Sequence, residues 1–246
     1  FNSSESWAVS IGSLSFFNVV RSKEKVYEDG TAASIWGAAW SFATYLFHTP
    51  KLFAGKSVVE LGAGTGVAGL AAACATAGGA KSVLLTDLPD NIHILHELLA
   101  FNRESLPSEG NCDIRVQALR WGSSSSVDDE KEEQYRPWGR GTSSTNSSKG
   151  DSNNTGTKEM GAKYDVVLAV DCIYCHSLHE ILAQTAVRLC NEGGRVLIAD
   201  EERWKDSSGW WDKTALHYGL VLQAVTELPQ HERVPRKVRK RRKRRR

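Results

Sequence analysis

Long apolar runs are missing from this 246-residue chain. None reaches the roughly 18 residues that a helix needs to cross a bilayer. Proline is scarce, at 6 residues, and neither its number nor that of glycine, 21, permits a collagen-like repeat. The cysteines, Cys74, Cys112, Cys172, Cys175 and Cys190, are odd in number and stand mostly in apolar stretches. That argues against a disulfide framework and for reduced thiols in a cytoplasmic or nuclear protein. Methionine occurs once, at Met160, and position 1 is Phe, so the chain reads as a fragment or a processed product. What is present is ordinary for a globular domain: 41% apolar and 24% charged residues. At this length one domain with appendages can bury a core without metal or disulfide staples.

The net charge of +2 conceals an asymmetry. Residues 231–246 hold 11 Lys+Arg and one acid, and the rest of the chain holds 20 basic and 28 acidic residues. An acidic globule therefore carries a basic tail. Such a tail suits a nuclear-import signal or a nucleic-acid contact, or a solvated terminus that folds back on the acidic globule.

Residues 122–158 are rich in Ser, Asn, Gly and charge, with few large apolar side chains. Such a composition does not offset the entropy of ordering, so the segment reads as a disordered insertion between core elements. Around it the apolar pattern alternates. Strands are expected over 56–60, 82–86, 114–119, 164–170, 195–199 and 220–225. Helices are expected over 66–77, 90–102, 178–190 and 212–218. Alternating strands and helices predict an α/β, Rossmann-like domain with a mostly parallel sheet and helices on both faces. Ligands then bind along the carboxyl edge of the sheet.

The first strand runs into Glu60-Leu-Gly62-Ala-Gly64-Thr-Gly66. A dinucleotide fingerprint requires its third glycine one residue later, at Val67. Asp87 ends the second strand, where an acid can accept hydrogen bonds from both ribose hydroxyls. The E-x-G-x-G-x-G run resembles the first motif of class I S-adenosylmethionine-dependent methyltransferases. Such a ligand offers an ammonium, a carboxylate and a sulfonium. An acid beside the turn can hold the amino group, and backbone N–H groups the carboxylate.

Further pieces resemble the seven-strand protein lysine methyltransferases of family 16, near the methyltransferase-like 21 group. They are Thr86-Asp-Leu-Pro89, Leu119-Arg-Trp-Gly122, Asp171-Cys-Ile-Tyr174, and 30–46 as a G-x-x-x-W helix with Trp36. The resemblance implies a class I methyltransferase-like fold over 30–230, after an N-terminal extension at 1–29 and before the tail at 231–246. The family's seventh strand is not evident in the basic, apolar-poor 227–246. The cofactor implied is S-adenosyl-L-methionine, held by Glu60, Gly62, Gly64, Gly66, Asp87, Trp121 and Asp171, with Trp36 also approaching. Trp121 would flank the adenine. The implied reaction is methyl transfer to a lysine of a protein partner, with Asp171 orienting the amine and Tyr174 shaping its channel. Neutralising a lysine at pH 7 costs roughly 4–5 kcal/mol, which an apolar channel beside a sulfonium lowers. Other acceptors (a protein N-terminus, a histidine, a small molecule) would leave the same glycine turn, and a non-catalytic cofactor- or nucleic-acid-binding protein is the remaining alternative. A monomer without membrane contact is expected. Cys172-Ile-Tyr-Cys175-His176 with His179 imitates haem and zinc patterns, but no second ligand pair exists in the sequence, so no metal is expected. Trp210-Trp211 is expected in the core, or else on a patch facing the substrate.

Overall fold

The computed structural model describes residues 8–11, 14–17, 31–75, 78–107, 111–122, 162–201 and 207–221. The insertion beyond Gly122, most of the N-terminal extension and the basic tail lie outside them. Within the extension, β1 (Ala8–Ile11) and β2 (Leu14–Phe17) pair antiparallel, which the sequence did not suggest.

A five-stranded parallel sheet carries the domain. Its strands are β3 (Ser57–Leu61), β4 (Ser82–Asp87), β5 (Asp113–Ala118), β6 (Tyr164–Val170) and β7 (Cys190–Ala199), in the spatial order β5-β4-β3-β6-β7. The strand order reverses direction beside β3, so the carboxyl ends of β3, β4 and β6 border the topological switch point. Strands expected from apolar runs are found within two residues, except that β7 begins at Cys190 rather than 195. An irregular pairing between Tyr164/Cys190 and Val166/Arg195 absorbs the additional residues. Leu220 and Val221 are not in a strand, and the rest of the expected sixth strand lies outside the described residues.

The period-2 alternation of the strands divides the core. Val58, Val83, Leu85, Val166 and Leu168 face α1 (Gly37–His48), α2 (Val67–Ala73) and Leu95 of α3 (Ile92–Phe101). Val59, Leu61, Leu84, Val167 and Ala169 face α4 (His176–Leu189), with Trp211 and Ala215 of α5 (Ser207–His217). Helices thus cover both faces, as expected. All seven residues of α2 are buried, and small side chains let it lie close between α1 and the sheet. Trp211 is a core residue, ring-to-edge against the buried His179 at 5.9 Å, and His179 Nε2 is 2.9 Å from the carbonyl oxygen of Ile173. Among the described residues no helix is long and apolar enough to span a membrane.

Two differences follow from packing. The helix expected to reach residue 77 stops at Ala73, where the chain turns through Gly78 and Gly79; a Cβ on Gly79 would lie 2.9 Å from the Ala73 carbonyl carbon. The N-terminal helix expected over 30–46 begins only at Gly37. Residues 31–34 form a turn instead, and the Trp36 indole N–H donates to the Thr31 carbonyl at 3.0 Å.

Candidate active site

A cleft of about 320 Å³ opens at the carboxyl ends of β3, β4 and β6. That is within the range of small-molecule sites. Trp36, Glu60, Gly62, Gly64, Asp87, Trp121, Asp171 and Tyr174 all line it. Five stretches of sequence, from Trp36 to Tyr174, thus converge because each stands at or just beyond a strand's end or at a helix's start.

Gly66 is the one expected site residue that is not in the cleft wall. A Cβ there would meet Leu95 Cδ2 at 3.0 Å and Leu85 Cδ1 at 3.2 Å, so it faces the core. Its φ of +66° starts α2. Gly62 and Gly64 also have left-handed φ, +61° and +52°. At Gly62 a Cβ would be 3.0 Å from Trp121 Cζ2 and 3.1 Å from Cys172 Sγ. At Gly64 it would be 3.0 Å from the Ala32 carbonyl oxygen. The turn is thereby squeezed between the Trp121 ring on one side and the 31–34 turn on the other.

The acids divide their work. Asp87 Oδ2 accepts from the Gly64 N–H at 2.7 Å, and Oδ1 accepts from the Leu88 N–H and the Asn91 side-chain amide, both at 2.7 Å. A carboxylate has about four lone-pair directions, so three protein donors leave room for a ligand hydroxyl. Glu60 alternates with Val58 onto the α2 face, and its Oε2 accepts from the Gly69 N–H at 2.8 Å. It is 3% exposed. Burial pushes its carboxyl up to about 8, only partly opposed by the Gly69 bond, and nearby Asp87 adds to the rise. Glu60 therefore lies beneath the turn and braces it against α2, in addition to bordering the cleft. The sequence analysis did not anticipate that tie.

Asp171 has φ +57° and is the single non-glycine residue with positive φ among those described. Its N–H donates to the Ala199 carbonyl at 2.7 Å, fixing the end of β6 to β7. Its side chain is largely buried in the cleft wall, whereas Tyr174 is 43% and Trp36 39% exposed at its mouth. Sequence reasoning overlooked Cys172, which lies between. Its Sγ is 3.3 Å from the carbonyl oxygens of Leu61 and Val170, and burial raises its thiol well above the usual range. It is a packed floor residue rather than a reactive thiolate. Arg120 also lines the cleft, from an exposed position.

This arrangement on a parallel sheet has counterparts among known proteins. A putative SAM-dependent methyltransferase from Streptococcus mutans shares the fold, with a TM-score of 0.52 at 12% identity, covering 87% of this chain and 46% of that one. The chain belongs to the lysine methyltransferase family, whose profile matches residues 18–135 and 152–215. It is 30% identical over 195 residues to EEF1A lysine methyltransferase 3 of Mus musculus, covering 78% of this chain. It is 26% identical over 193 residues to protein N-lysine methyltransferase METTL21A of Xenopus tropicalis, covering 78% of this chain and 71% of that protein. The chain spans 66% of the mouse relative, just under two thirds of its length.

Proposed function

We propose that the cleft binds S-adenosyl-L-methionine and that the protein transfers its methyl group to a lysine side chain of another protein. The observation that carries this reading is the meeting of Asp87, the Gly62–Gly64 turn and Asp171 in one cleft whose mouth holds Tyr174. The residues fit the group. Asp87 retains an acceptor direction for a ribose hydroxyl, and Trp121 offers a flat apolar wall to a base. The Gly62 Cα offers backbone where any side chain would collide with Trp121. Asp87 and Asp171 give the lining acids that suit a cationic ligand.

When bound, the donor supplies an electrophilic methyl group. What remains for this chain's residues is alignment and management of the amine. Asp171 accepts an N–H bond from the incoming neutral amine and orients its lone pair, while Tyr174 walls the entrance. Burial of the amine among Trp36, Tyr174 and Val170 favours its neutral form.

Calorimetry with S-adenosyl-L-methionine, then transfer of labelled methyl groups to cellular proteins with mass-spectrometric identification of the product, tests the reading. Asp171→Ala should slow transfer about a hundredfold, roughly 2.7 kcal/mol, with a much smaller effect on cofactor affinity. Transfer by Asp171→Ala at the parental rate, or methyl groups found only on residues other than lysine, would overturn it.

A further inference from the structure

Thr185 stands in the middle of α4, outside the residues placed in the cleft wall above, and is 1% exposed. A hydroxyl buried there costs free energy unless both its functions are met. Both are: Oγ1 donates to the Ile181 carbonyl at 2.8 Å and accepts the Gly122 N–H at 2.9 Å. Gly122 has φ +82°, and a Cβ on it would be 3.0 Å from Ile181 Cγ2, so only glycine brings the chain this close to α4. Three residues earlier, the Leu119 N–H donates to the Asp87 carbonyl at 2.8 Å. The short turn 119–122 is therefore tied at both ends, to β4 by Leu119 and to α4 by Gly122. Trp121 lies between the ties, with its ring against Gly62.

We infer that Thr185 is a positioning residue: its hydroxyl latches the Gly122 N–H and so holds the Trp121 indole over Gly62 in the cleft. The inference deepens the proposed cofactor site and rests on that reading for its effect on binding. The latch also sits at the root of the insertion, because Ser123 is the next residue. Without the latch the turn would keep its tie to β4 at Leu119 and the packing of Trp121 on the core, but not its tie to α4.

The test uses the full chain labelled with 5-fluorotryptophan, the Trp121 signal being assigned by its loss in Trp121→Phe. In ligand-free protein, Thr185→Val keeps the side chain's shape and removes the acceptor, so the Trp121 fluorine signal should shift or broaden. Thr185→Ser keeps the hydroxyl and should restore the parental signal. By calorimetry Thr185→Val should weaken S-adenosylhomocysteine binding about fivefold to tenfold, the scale of one hydrogen bond, and Thr185→Ser should not. An unmoved Trp121 signal in Thr185→Val, or equal disturbance in both variants, would overturn the latch. If the parent protein binds no S-adenosylhomocysteine, the proposed function fails, while the ligand-free fluorine spectra still decide the latch.

Discussion

Glutamate 60 makes the stability of this fold depend on pH in an unusual direction. Its carboxyl moves from an ordinary value of 4.5 to about 8, because it is removed from water beneath the glycine turn and the single Gly69 N–H does not compensate. Between these values the folded protein holds a proton that the unfolded chain has released. The unfolded state then binds fewer protons, so stability falls as pH rises through the window. The contribution is fully present below pH 4.5 and is gone above about 8. Its full size is of the order of 5 kcal/mol, with about 3 kcal/mol already lost at pH 7. Glu60→Gln keeps the shape and an acceptor for Gly69 but cannot ionise. Denaturant unfolding of both proteins between pH 4 and 8.5 should show Glu60→Gln gaining on the parent, from near zero at the acid end to about 3 kcal/mol at pH 7. Because other carboxyls titrate in both proteins, the difference isolates this one group. A stability gap that stays constant over the range would refute the reasoning.

At the opposite edge of the sheet, Asp165 Oδ2 accepts from the Ser57 N–H and hydroxyl and Oδ1 from the Asn191 amide, which hold its carboxyl below the usual range. Its stabilisation is present above the unfolded value and is lost as pH falls through the folded one, opposite in sign to Glu60; Asp165→Ala should cost about 1–3 kcal/mol in unfolding experiments near neutral pH, and less in acid. Gly62→Ala should lose roughly 1–2 kcal/mol to left-handed strain and, in calorimetry, should also weaken S-adenosylhomocysteine binding by displacing Trp121. Gly193→Ala is the control: φ is +72° but no atom lies within 4 Å of the added carbon, so it should show the strain alone. Equal ligand affinity in Gly62→Ala and Gly193→Ala would remove Trp121 from the site.

The sheet was legible because its signal is local. Val58-Val59, Val83-Leu84-Leu85 and Val166–Ala169 are apolar on both faces, as strands covered on both sides must be. Asp87 and Asp171 were legible as acids at strand ends, where a parallel sheet gathers its ligands. What was not legible depends on contacts between distant segments. The choice of Gly69 as the partner of Glu60 is one: the helix could be foreseen, but not that a Cβ at this position would fall 2.7 Å from Glu60 Oε2. A glycine inside an otherwise alanine-rich helix was the available signal. Thr185 is another, and a hydroxyl among Leu182, Ala183, Ala186 and Leu189 on the buried face of α4 was its signal. The inward face of Gly66 could not be separated from the cleft faces of Gly62 and Gly64 by spacing, since all three alternate and all three have left-handed φ.

That shared conformation sharpens the case for Asp171. Gly62 and Gly64 reach positive φ with a residue that bears no Cβ, and the chain turns at the end of β3 at little steric cost. At the end of β6 the same left-handed turn is made by an aspartate, at a cost of roughly 1–2 kcal/mol relative to a conformation with negative φ. The backbone N–H bond to Ala199 is one that glycine would make equally well. Local hydrogen bonding makes aspartate one of the less disfavoured residues in this region, but not the equal of glycine. The carboxylate is what distinguishes aspartate from glycine there, and Asp171 lines the cleft together with Gly62 and Tyr174. Under the proposed function, a carboxylate held at such cost in the cleft wall is the group placed to meet the incoming amine.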